Sequence, residues 1–89
     1  MEKKEVRTVL TEVTFTNLCK MGYIKLYLNN RDVDITFIKS DIKDLISGKI
    51  VERDTDIGMF KFMLQDIGID IIREILKRSP VFSELSNNI

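Results

Sequence analysis

The chain has 89 residues with 14 basic and 14 acidic side chains and no net charge, which sets one small domain and lacks the positive excess of a nucleic-acid or membrane-surface binder. A single cysteine, Cys19, and the lack of histidine exclude an internal disulfide and the Cys/His zinc patterns, so the fold rests on packing or on packing plus a partner subunit. No apolar run exceeds three residues, against about 20 for a membrane span, and the charged start Met1-Glu2-Lys3-Lys4-Glu5 lacks an apolar signal segment, so a cytoplasmic protein without a membrane partner is expected.

In chain order, residues 6–16 are rich in Val and Thr, and Val9, Thr11, Val13 and Phe15 share one parity. That period of two predicts a half-buried strand, with Leu10 against a second surface. Residues 17–22 read as a connection or a single helical turn that ends at Gly22. Tyr23 to Leu28 alternates cleanly: Ile24, Leu26 and Leu28 face one way, and Tyr23, Lys25 and Tyr27 the other. Asn29-Asn30-Arg31-Asp32 is a turn, and Val33, Ile35 and Phe37 continue the alternation, which together predict a hairpin. Ser40 is placed to cap a short helix at 41–47, with Asp41 and Asp44 near its positive end and Gly48 after its last turn.

Residues 49–68 admit two readings. In one, 50–53 and 59–65 are strands around a turn, with Phe60, Phe62 and Leu64 inward. In the other, a single helix runs from about Ile57 to Lys77. Gly58 and Gly68 each cost a helix interior about 1 kcal/mol, which favours the hairpin. Residues 69–78 are helical on either reading, with Ile72, Ile75 and Leu76 inward, and Ser79-Pro80 ends the helix and starts a last turn. Residues 1–5 and 86–89 are expected to fray. Phe37-Ile-Lys-Ser-Asp41-Ile42 is similar to Phe62-Met-Leu-Gln-Asp66-Ile67, a faint repeat of two strand–strand–helix units.

The fold expected over residues 1–89 is therefore a single α+β domain. It has a mainly antiparallel sheet of four to five strands, two helices on one face, and the order β-β-β-α-β-β-α.

Signs of chemistry are few. Cys19 has Lys20 beside it but no histidine to act as base, and reads as structural. Asp54, Asp56 and Gly58 begin like a calcium loop, but the position that should carry its last glutamate is Leu64. Ser47-Gly48-Lys49 lacks the upstream glycine of a phosphate loop. No catalytic, metal or cofactor residue is assigned, and no cofactor is expected.

Tyr23, Lys25 and Tyr27 would line the outer side of one strand, and Met59, Lys61 and Met63 that of another. Aromatic and methionine side chains at such spacing make an adaptable protein-binding surface. With a small core and zero net charge, these six residues point to a non-enzymatic interaction protein that binds another protein and self-associates as a homodimer. Two alternatives stand beside it. One is a nucleic-acid module using Lys3, Lys4, Arg7, Lys20, Lys25 and Arg31. The other is a metal-dependent enzyme or enzyme subunit using Asp32, Asp34, Asp41, Asp44, Glu52, Asp54 and Asp56.

Overall fold

A computed structural model describes residues 4–82 and residue 85. The elements in order are β1 (Lys4–Leu10), α1 (Glu12–Met21), β2 (Tyr23–Leu28), β3 (Arg31–Thr36), α2 (Lys39–Ile46), β4 (Val51–Thr55), β5 (Gly58–Leu64) and α3 (Ile69–Arg78). The α+β class is as expected. The architecture differs: three helices and five strands form two sheets, β1-β5-β4 and β2-β3.

The added helix is α1, which replaces the second half of the expected strand 6–16. Thr11 is its N-cap, and the Thr11 hydroxyl accepts a hydrogen bond from the Thr14 N–H at 3.3 Å. Phe15, Leu18 and Cys19 then fall at i, i+3 and i+4 and are fully buried, and Gly22, with φ of 77°, closes the helix. Cap and stripe outweigh the strand preference of Val13, Thr14 and Thr16.

The register also reverses the expected parity of β1. Val6, Thr8 and Leu10 lie opposite Phe60, Phe62 and Leu64, so they face the core, while Val9 faces out. Lys4 and Glu5 begin this strand, and residues 1–3 and 86–89 of the expected frayed ends lie outside the described residues.

β2 and β3 form the predicted hairpin. Its turn is only Asn29-Asn30, with φ of 54° and 61°, the left-handed pair that a type I′ turn requires and that Asn tolerates. The strand therefore resumes at Arg31, two residues earlier than expected. The hairpin is closed at its open end by a Phe37 N–H to Gly22 carbonyl bond of 3.0 Å. It forms no ladder with the other three strands, which is why one expected sheet is two.

Helix α2 starts at Lys39 with Ile38 as N-cap, and Ser40 sits exposed in its first turn without capping it. Asp41 takes the role expected of Ser40. Its carboxylate accepts the Ile38 N–H at 2.9 Å and also takes the Arg53 guanidinium. Ser47 and Gly48 end the helix as expected, with the Lys49 N–H on the Asp44 carbonyl.

The hairpin reading of 49–68 holds. β4 and β5 are antiparallel around Asp56-Ile57, and β5 also pairs with β1 in parallel. The core joins Leu10, Phe15, Leu18, Phe37, Ile42, Leu45, Phe60, Phe62, Ile72 and Leu76. Phe37 and Phe62, matched in the faint repeat, meet edge to face with centroids 5.1 Å apart. The last matched pair diverges: Ile42 is buried in α2, whereas Ile67 is half-buried in the link to α3.

Ser79, buried after α3, accepts the Val81 and Phe82 N–H groups and donates to the Cys19 carbonyl. It caps the expected last turn and fixes it to the end of α1, with Phe82 and Leu85 buried behind it.

Candidate functional site

The six residues expected on an outer surface are distributed over both sheets. Tyr23, Lys25 and Tyr27 lie along β2, where Lys25 is opposite Asp34 and Tyr27 opposite Asp32. Tyr27 is 71% exposed, and its hydroxyl donates to the Asn30 amide oxygen at 3.3 Å. Tyr23 and Lys25 border a depression with Thr14, Asn17 and Met21 of α1. Met59, Lys61 and Met63 lie on the outer side of β5, and Lys61 and Met63 border a different, smaller one with Arg7 and Ile50. The two strips belong to separate sheets and line separate depressions.

The outer face of β1-β5-β4 is ordered in rows across the strands. Val9 lies opposite Met63, and Ile50 borders the same depression at the start of β4. Val9, Met63 and Ile50 are 53%, 46% and 56% exposed, an apolar row on an open face. The next row is charged: Arg7, Lys61 and Glu52 in register. The third is Glu5, Met59 and Asp54. Within this face the Lys61 ammonium lies 3.2 Å from Glu5 and 3.8 Å from Glu52, and Arg7 lies 3.2 Å from Glu5. Arg7 and then Lys61 hold the Glu5 carboxyl below its ordinary value. The charges thus satisfy one another, and the apolar row carries no such compensation.

Val9 and Ile50 are missing from the sequence reading of this surface. Recognising Thr11 as a cap would have ended the strand at Leu10 and turned Val9 outward.

The basic third of the chain does not form a stripe. Arg7 is held by Glu5, Arg31 by Asp56 at 2.8 Å, and Lys25 faces Asp34. Lys20 lies on α1, apart from these strand residues. Lys3 is outside the described residues. The acidic middle is equally dispersed: Asp32 and Asp34 on β3, Asp41 with Arg53, Asp44 with Lys49, Glu52 with Lys61, and Asp56 with Arg31. Among the described residues, no three acidic or cysteine side chains converge in a way that could hold a metal ion. Also among them, no helix is long and apolar enough to cross a membrane.

Cys19 is fully buried, and burial pushes its thiol up to about 12, so at neutral pH it is a protonated core side chain and not a nucleophile.

A third concavity, about 570 Å³, lies between α1 and α3. Glu12, Thr16 and Lys20 line one wall at a spacing of four, and Asp70, Glu74 and Arg78 line the other at the same spacing, with Ile71 and Ile75 beside them. The Ser79–Cys19 bond brings the C-terminal ends of the two helices together. The groove therefore has an acidic end, at Glu12 and Asp70, and a basic end, at Lys20 and Arg78.

No protein-family model, no curated protein and no solved structure matches this chain.

Proposed function

We propose that the chain is a non-enzymatic protein-interaction module that binds another protein through the outer face of β1-β5-β4 and self-associates. The observation that carries this reading is the row Val9, Met63 and Ile50, half-exposed beside a charged row that is neutralised within the same face. Apolar area of this kind gains free energy when a partner covers it, and methionine adapts its shape to the surface it meets. The neutralised neighbours leave an apolar patch on the partner as the matching chemistry. A cytoplasmic setting accords with the single free thiol.

The test is affinity capture from the source cell with three baits: wild type, Met63→Asp and Tyr27→Asp. Both substituted side chains are exposed, so thermal melting should stay close to wild type. One protein captured by wild type and Tyr27→Asp, and lost with Met63→Asp, is the expected result. Equal capture by all three, or none by any, removes the sheet face as the docking surface.

A further inference from the structure

We infer that two copies of this chain associate through the α1–α3 layer, in antiparallel fashion, about a two-fold axis lying across the helices. The inference rests on the self-association in the reading above, and it assigns that role to a surface separate from the sheet face.

The argument begins with spacing. Glu12 and Lys20 are eight residues apart on α1, and Asp70 and Arg78 are eight apart on α3. At 1.5 Å per residue both separations are about 12 Å. The two helices thus present the same anion-to-cation vector, in the same direction, along the two walls of one groove.

A two-fold axis across the helices sets a second copy antiparallel on the first. Glu12 then meets Lys20 of the second copy, and Asp70 meets its Arg78. Because the axis returns each contact, four opposite-charge pairs form at once, with Thr16, Ile71 and Ile75 between the charged ends; against them stands one like-charge contact, Glu74 with its own counterpart near the axis, each held by Arg78 of its own helix. A two-fold axis along the helices would instead set Glu12 on Asp70 and Lys20 on Arg78, like on like. Charge alone therefore selects one of the two isologous arrangements.

Most of this charge is uncompensated within one copy. Among the described residues Glu12, Lys20 and Asp70 make no ion pair; Arg78 bonds within its own helix to Glu74 at 2.9 Å. The polarity also agrees with the helix dipoles, whose ends are complementary in an antiparallel stack.

The size of the layer sets the strength. Two ten-residue helices, each about 15 Å long and roughly 8–10 Å apart, offer less than the roughly 1,200–2,000 Å² of a stable interface. The dimer is thus weak and salt-dependent, populated at high protein concentration.

Sedimentation equilibrium up to about 1 mM protein tests it with Glu12→Lys and Lys20→Glu, both changes at exposed positions. Wild type should dimerise more weakly on going from about 0.05 to about 0.5 M salt. Each single variant alone should weaken self-association about tenfold or more, since its like charges meet twice. The double variant Glu12→Lys/Lys20→Glu should restore it. Mixing the two single variants should give a heterodimer tighter than either homodimer, because two lysines on α1 of one chain then face two glutamates on α1 of the other. A wild-type dimer indifferent to all these changes overturns the helix surface while leaving self-association standing. Wild type monomeric throughout overturns both.

Discussion

Single side chains in this protein take their tasks from their surroundings more than from their type. Asp41 is a carboxylate in a helix first turn, an ordinary surface location, yet it is buried because it serves the Ile38 N–H and the Arg53 guanidinium together. Arg53 in turn lies over the Phe37 ring, 5.8 Å from its centroid, so one charged pair seals the edge of the core. Cys19 is the opposite case, a titratable group whose surroundings deny it charge. Folded, it holds its proton to about 12; unfolded, it releases it near 9.0. Its contribution to stability is fully present below pH 9.0 and is lost as pH rises towards about 12, by up to about 1.4 kcal/mol per pH unit. Urea titrations of wild type and Cys19→Ala on either side of that lower value should show a steeper alkaline decline for wild type. Parallel declines would show that burial does not govern this thiol.

At the scale of elements, legibility followed the strength of local signals. The β2–β3 hairpin was legible because Tyr23 to Leu28 alternates without a fault and two asparagines mark the turn. Helix α3 was legible because Ile72, Ile75 and Leu76 recur at helical spacing and Pro80 stops them. Helix α1 was not, because Val13, Thr14 and Thr16 favour a strand, and Thr11 reads equally as strand residue or cap. The docking of Phe15, Leu18 and Cys19 into a core formed by distant segments, together with the Thr11 cap, decides between the two. The outer row was lost with it, since Val9 turns outward only when the strand stops at Leu10. The helix–helix groove needed two helices to exist before their charges could be compared. If the cap decides α1, Thr11→Ala should lower stability by about 1 kcal/mol, measured by urea unfolding, and should speed amide exchange in the first turn of α1 ahead of β2. Unchanged stability and exchange would mean that packing alone holds the helix.

Across the whole molecule, which measures 44 × 21 × 19 Å, the controlling contact joins the first strand to the fifth. An elongated shape elutes as a larger sphere would, so molecular mass has to come from scattering or sedimentation. In the β1–β5 ladder Lys4 pairs with Gly58, whose φ is 152°. A Cβ there would stand 2.3 Å from the Lys4 carbonyl oxygen, a backbone atom with no way to yield. Gly22 also has a positive φ, but a Cβ there would meet Val81 at an ordinary 3.6 Å. Gly58→Ala should therefore destabilise by more than the roughly 1–2 kcal/mol that a left-handed backbone alone costs an L-residue, and Gly22→Ala by about that cost. Equal losses in urea unfolding would mean that β1 is not seated against Gly58. The same pairing has a meaning for the ribosome. β1 is complete at Leu10, and its only ladder partner among the described residues is complete at Leu64. At about 5–20 residues per second, the newborn chain carries an unmatched strand for about 3–10 s of its own synthesis. During that interval helix α1, which follows β1 directly and packs against it, is the part able to shelter it from other nascent chains.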